Sequence, residues 1–391
     1  MSEKPTPKAA VPAAKPSTKS DAKAAKPAPK KPSPLEGEGG SRSETGEGAK
    51  RKETPQPTAA ATKADPAKTH LAVSWKHDRP LTACRIDPLG RYVFVGTEDY
   101  ALQRFRLSDG AKTPLVGHES WCRAIAFTPD GKTTLTGGYD GRLLWWQTDA
   151  EQLKPLRTVP AHEGWIRAVA VSHDGRTIAT CGNDRLVKLW NVADGKLLRT
   201  LSGHDSHVYN VAFHPDGKAL VSCDLKANFK HWNLADGAEV RTLRTEPLHK
   251  YDDTFRADIG GARSLAFSSD GKLLGAGGTT NCTNAFGGIL ECAVASIDWE
   301  AGKLKVLHLT KEKNRGTIWG LAWHADGYWI GMSGGRNALL AFWKPDEAQE
   351  FAKFALPDIG RDGDLAHDGL RFVIAGAEGQ LSVCSLTAKP A

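Results

Sequence analysis

In two adjoining segments of this chain a histidine stands twenty-two residues ahead of an aspartate within the same order of residues: His118 precedes Asp140, and His162 precedes Asp184. Imidazole beside carboxylate is the pairing of a general acid–base dyad, in which the carboxylate orients the ring and the ring moves the proton. The recurrence argues against that use. The arrangement repeats with no nucleophile associated with it, and outside these repeats no close set of carboxylates, metal-spaced histidines or activated nucleophile remains. No catalytic residue, cofactor or metal is expected.

The cysteines add little chemistry. Cys84, Cys122, Cys181, Cys223, Cys282, Cys292 and Cys384 form no close pair and mostly lie inside strand-like runs, which suits buried, reduced thiols. Cys282 and Cys292 flank a glycine-rich hairpin and are the one pair that could meet in space, as a disulfide or a metal site.

The elements that must position the His–Asp pairs are marked by turns ending in glycine. These are Pro88-Leu89-Gly90, Pro129-Asp130-Gly131, His173-Asp174-Gly175, Pro215-Asp216-Gly217, Ser269-Asp270-Gly271, Ala325-Asp326-Gly327 and His367-Asp368-Gly369. Successive glycines are 41, 44, 42, 54, 56 and 42 residues apart. Each turn follows an apolar run such as Ala124-Ile125-Ala126-Phe127 and precedes another such as Leu135-Thr136-Gly137. That is a hairpin in which glycine supplies a backbone angle other residues avoid. One such unit cannot bury its own faces, whereas a ring of them can.

Between the turns the order of residues repeats. Residues 117–146 read Gly117-His118, Trp121 through Phe127, Asp130-Gly131, Thr136-Gly137-Gly138-Tyr139-Asp140-Gly141 and Trp145-Trp146. Residues 161–190 follow with Ala161-His162, Asp174-Gly175, Thr180, Asp184 and Trp190. This resembles the WD40 repeat family over essentially all of residues 70–386. The sevenfold recurrence carries the resemblance; a single Gly-His pair would not. It implies an all-β fold, a seven-bladed β-propeller of four-stranded antiparallel blades, with a buried His–Ser/Thr–Asp–Trp network in each blade. Carried across, the network is His118, Thr136, Asp140 and Trp146 in blade two, and His162, Thr180, Asp184 and Trp190 in blade three. The physical reason holds without the family. An aspartate in a tight turn needs donors, a histidine can bridge it to a hydroxyl, and a tryptophan covers them while offering one N–H.

Other blades depart from this pattern. Blade four supplies His204, Ser222 and Trp232 but has Lys226 at the acidic position, and blade six has Ser333 and Trp343 with Asn337 there. Blade one has His77 and Asp99, with Val95 and Phe105 replacing the hydroxyl and the indole. Blades five and seven have lost most of the network. After Phe372-Val373-Ile374 and Leu381-Ser382-Val383-Cys384 the last blade lacks a fourth strand. The run His70–Trp75 is expected to complete it from the N-terminal side and close the ring.

In the resembling family the connections between blades and the turns inside them share one face, the usual contact face. There the sequence places Trp121 and Arg123 in blade two, Trp165 and Arg167 in blade three, and His207 and Tyr209 in blade four. Arg263 follows in blade five and Trp319 in blade six, and Tyr139 sits next to Asp140. Aromatic and arginine side chains give contact area at modest entropic cost and dominate binding hot spots; the alternative is that they pack against neighbouring blades. The two long intervals arise from extra residues at 245–259, including His249, Tyr251, Asp252 and Asp253, and at 279–288. Both segments are expected on the same face. A non-enzymatic scaffold binding a protein or peptide through this face is the favoured reading. A propeller enzyme is the alternative, because fold alone does not decide chemistry.

Charge separates the chain into two parts. Of the net +7, residues 1–35 hold eight lysines against Glu3 and Asp21, residues 36–69 balance, and the remainder is near +1. All twelve tryptophans lie between Trp75 and Trp343, and the first 69 residues contain no aromatic of the Trp, Tyr or Phe type. Residues 1–68 are expected to form a disordered tail and residues 69–389 the propeller. The lysines of residues 1–35 can bind nucleic-acid phosphates weakly and without sequence preference, with no aromatic residue interleaved to stack on bases; a solubilising or tethering tail is the other use. No run reaches transmembrane length, no apolar core follows the basic N-terminus, and no amphipathic or lipidated anchor is present, so a cytoplasmic protein is expected. If residues 1–35 are the contact, affinity for double-stranded DNA should fall steeply between about 50 and 200 mM salt. It should vanish for a chain shortened to begin at Ala67; retention by the shortened chain would move the site to the ring.

Overall fold

The computed structural model describes residues 63–389 apart from 152, 153, 287 and 336, so most of the expected tail lies outside the described residues. All seven turn glycines adopt φ between +66° and +88°, the left-handed region that favours glycine. In blade two the Gly131 N–H donates to the Thr128 carbonyl at 2.8 Å, and the Thr128 hydroxyl donates to Asp130 Oδ1 at 2.6 Å. These bonds close the hairpin between strands Cys122–Phe127 and Thr133–Gly138.

Among the described residues the hairpins extend into seven four-stranded antiparallel sheets, one per blade, with an extra two-stranded hairpin between blades four and five. The first strands of the blades are Leu81–Ile86, Cys122–Phe127, Ile166–Val171, Val208–Phe213, Ser264–Phe267, Thr317–His324 and Gly360–Leu365. Each touches the first strands of both neighbours, and that of blade seven touches that of blade one. They therefore surround a central channel. Strand His70–Lys76 pairs antiparallel with Gln380–Ser385, His70 opposite Ser385 and Lys76 opposite Gln380. The N-terminal strand thus completes blade seven and closes the ring. No helix among the described residues is long and apolar enough to cross a membrane.

The core is divided between the blades. Phe94 of blade one packs with Leu144 and Trp146 of blade two, Leu135 of blade two with Trp190 of blade three, and Val95 of blade one with Val373 of blade seven. All seven cysteines are buried and free. The Cys282 thiol donates to the Asn284 carbonyl and the Cys292 thiol to Asn314 Oδ1, so these two do not join.

The polar network follows in each blade from what room the backbone leaves. In blade two His118 Nδ1 lies 3.0 Å from Asp140 Oδ2 and Nε2 lies 2.8 Å from Thr136 Oγ1, which also accepts from Trp146 Nε1 at 2.8 Å. In blade three His162 reaches Asp184 at 2.9 Å and Thr180 at 2.7 Å, and Trp190 donates to Thr180 at 2.9 Å. A Cβ at Gly138 would come within 2.5 Å of both Asp140 Oδ1 and His118 Nδ1. Glycine there vacates the volume that the carboxylate fills.

Blade four differs from the sequence expectation. Its carboxylate is Asp224, at the place of Gly138 and Gly182, and not residue 226. His204 Nδ1 lies 3.0 Å from Asp224 and Nε2 lies 2.7 Å from Ser222, which accepts from Trp232 Nε1 at 2.8 Å. The carboxylate enters the same volume from the strand end instead of the turn. Lys226 contributes only its backbone N–H, 2.9 Å from Asp224. In blade six the expected pair is disconnected: Trp343 Nε1 donates to the Leu309 carbonyl and Ser333 Oγ accepts from the Leu339 N–H. In blade one His77 stands 3.9 Å from an Asp99 side chain that is 42% exposed.

Removing the carboxylate of Asp184 or Asp224 strands buried donors, and each alanine variant should lose about 1–3 kcal/mol. Asp99→Ala and Lys226→Ala should stay within about 0.5 kcal/mol. Denaturant melts of the four variants check this order, and equal shifts for Asp184→Ala and Asp99→Ala would contradict it.

The same groups set acid sensitivity. Burial lowers the His162 imidazole below its usual 6.5, although Asp184 pulls the other way. Burial pushes the carboxyls of Asp140, Asp184 and Asp224 up, but hydrogen bonds from the histidines and backbone N–H groups outweigh it and hold all three below 3.8. Both kinds of group bind more protons in the unfolded chain, so their stabilisation is complete above the unfolded value and is lost as pH falls. Unfolding free energy should therefore decline below about 6.5 through the histidine, partly offset because Asp364, held up to about 6 by burial, takes up its proton first in the folded protein, and decline again below about 3.8 through the aspartates. A level profile from neutrality to about pH 3 would contradict the assignment.

Candidate binding site at the channel mouth

In six of the seven first strands one residue breaks the pairing register near the strand's start. The residues skipped are Thr82, Arg123, Arg167, Tyr209, Trp319 and Arg361. In blade five the ladder begins at Ser264, and Arg263 just ahead of it donates its N–H to the Gly277 carbonyl at 2.7 Å. All seven stand eight residues ahead of their turn glycine. A bulge leaves the extra residue unpaired and re-aims its side chain. Together these seven side chains line a cavity of about 550 Å³ at the mouth of the channel, with Glu98, Trp121, Tyr139 and Ile359 completing the wall.

The guanidinium groups fall into two kinds. Arg361 is answered by Glu98, and Arg85, one level deeper, by Asp362 at 2.7 Å. Burial raises the carboxyl of neighbouring Asp364 to about 6, against the pull of Arg85. Arg123, Arg167 and Arg263 have no carboxylate within salt-bridge distance among the described residues. They are held by neutral groups. Arg123 donates to the Thr82 carbonyl and Arg167 Nε to Asn183 Oδ1 at 2.8 Å. Aromatic faces do the rest: Arg167 lies 4.7 Å from the Trp165 ring and 4.6 Å from Tyr209, Arg263 lies 4.0 Å from Tyr209, and Arg123 lies 5.5 Å from Trp319. Such contacts restrain the cations without neutralising them. Burial would raise the Tyr209 phenol, yet Arg263 and Arg167 outweigh it and bring the phenol below its ordinary value. The mouth is an electropositive cavity.

Of the residues singled out in the sequence, Trp121, Arg123, Tyr139, Arg167, Tyr209, Arg263 and Trp319 line this cavity. Trp165 stacks on Tyr139 with ring centroids 4.0 Å apart and planes parallel. Trp121 and Trp165 remain 38% and 41% exposed, so packing between blades does not consume them. His207 is exposed and does not line the cavity. Tyr251 sits instead on the extra hairpin, His249–Asp252 with Ala257–Gly260. There Lys250 donates to the Cys282 and Thr283 carbonyls at 2.9 and 2.8 Å, and Asp252 accepts from the Ala285 N–H at 2.6 Å, joining the two long insertions. Phe255 and Phe286 meet on the surface so formed. His249 pairs with Asp258 at 2.8 Å, and Asp252 accepts the Thr254 and Phe255 N–H groups; this cluster ties the loop together.

Sequence reasoning missed Arg361, Glu98 and Thr82. Counting eight residues back from Gly369 and Gly90 finds Arg361 and Thr82; counting forward from Gly-His pairs does not, because blades one and seven have none. Nothing in the sequence marks Glu98, whose position depends on the approach of blade seven to blade one.

The family model for the WD domain, G-beta repeat matches residues 111–147, 153–191 and 195–233. Each match ends with the third strand of blades two, three and four, the blades whose four-membered network is intact. No curated protein matches the chain.

Proposed function

Because the chain is a WD40-repeat propeller, and propellers of this family generally act as protein-interaction scaffolds, we propose that it is a non-enzymatic scaffold that binds a protein or peptide across the channel mouth and the adjoining face of blades two to five. The observation that carries this reading is the convergence of the bulge residues. A repeat that needed them only for packing would place apolar groups there, whereas this chain places four arginines, a tyrosine and a tryptophan. Tyrosine, tryptophan and arginine on a rigid frame supply contact at little ordering cost. The joined insertions with Phe255 and Phe286 extend the same face and add apolar area.

Immobilised full-length protein should retain a partner from an extract of its own cells. The double variant Trp165→Ala, Arg167→Ala should retain at least about tenfold less while unfolding at the wild-type midpoint. Undiminished retention by that variant would place the contact elsewhere.

A further inference from the structure

Three guanidinium groups without carboxylate partners among the described residues, gathered around one cavity, repel one another. Neutral oxygens and ring faces fix their positions but leave the charge uncompensated and most of their N–H donors unused. Building on the assignment of this face to a partner, we infer that the channel mouth is the binding site for a phosphate monoester, presented on a side chain of the bound peptide and held by Arg123, Arg167 and Arg263.

Several features select this ligand. A cation is excluded because the ring faces that would cage it, those of Tyr209 and Trp319, already carry arginines. A carboxylate satisfies one arginine fork, whereas a phosphate ester offers three terminal oxygens and a charge of about −1.5 to −2. Three forks suit three oxygens. The fourth arginine of the ring, Arg361, is already neutralised by Glu98, which defines one side of the site. Deeper in the channel Arg85 is already paired with Asp362, so the guanidinium groups without a carboxylate partner among the described residues are those of the mouth. A cavity of about 550 Å³ holds the phosphate with the side chain that bears it.

Two experiments on the full-length protein test this separately from the scaffold reading. In the first, phenyl phosphate and benzoate are titrated by calorimetry. Phenyl phosphate should bind at least about tenfold more tightly than benzoate, and Arg123→Gln and Arg263→Gln should each weaken it about tenfold or more. Equal binding of the two probes, or binding that ignores both substitutions, overturns the site; the probe comparison needs no variant to fold. In the second, the extract is treated with phosphatase before capture. The partner's retention should drop with its phosphate, and retention unchanged by dephosphorylation overturns the phosphopeptide. Failure of capture before treatment, by contrast, would count against the scaffold and leave the phenyl phosphate result to decide the anion site.

Discussion

The constraint behind the whole structure is that no blade can bury its own two faces. Each four-stranded sheet leaves apolar side chains on both sides, and only a neighbour on each side removes them from water. The core is accordingly seven interblade clusters, and the last of them, with Val95 against Val373, forms only when the ring is closed. Pairing of His70–Lys76 with Gln380–Ser385 links the two ends of the described chain in one sheet. Local opening of any blade thus exposes two clusters, which makes the ring a stiff frame for whatever its first strands carry.

Magnitudes explain why the polar network can erode while the ring persists. Each fully buried large apolar side chain contributes about 1.5–3 kcal/mol, and a network carboxylate is worth about 1–3 kcal/mol. One cluster holding Phe94, Leu144 and Trp146 outweighs one network. Blade five, which has lost most of the network, shows how close that packing is. Its second strand, Leu273–Thr280, contains Gly275, where a Cβ would stand 2.6 Å from the Trp329 ring of blade six. The missing side chain lets the indole in and seats blade six closely against blade five.

The ring was legible in the sequence because its signals are local. A turn needing positive φ must show glycine, and a two-residue alternation must show its apolar face, so blade number, strand count and the closing strand could all be read. The site was legible only in part. Arg123, Arg167, Tyr209, Arg263 and Trp319 were visible as unusual residues near blade entrances, but their convergence depends on bulges, and a bulge has no residue signature of its own. Asp224 escaped notice for a related reason: a carboxylate can reach one buried volume from two backbone positions, and a motif read by position sees only one. Tyr251 was legible as a loop aromatic, but which way a long insertion folds is set by pairings such as Lys250 with the Cys282 carbonyl, between segments far apart in sequence.

Bulge and network are linked by geometry in blades two to four. The histidine lies five residues before the bulge residue in each: His118 and Arg123, His162 and Arg167, His204 and Tyr209. Fixing the histidine between a hydroxyl and a carboxylate fixes the backbone that leads into the first strand, and hence where the bulge side chain emerges. Arg167 and Tyr209, which stack on each other at 4.6 Å, belong to two blades with complete networks. Arg123 lies on a third. Arg263, Trp319 and Arg361 have no such histidine, and their positions rest on contacts at the mouth itself, with Tyr209, with Arg123 and Arg263, and with Glu98 respectively. The charged cavity is therefore built from one braced side and one side that leans on it, so that the arginines approach one another only because half of them are held from behind.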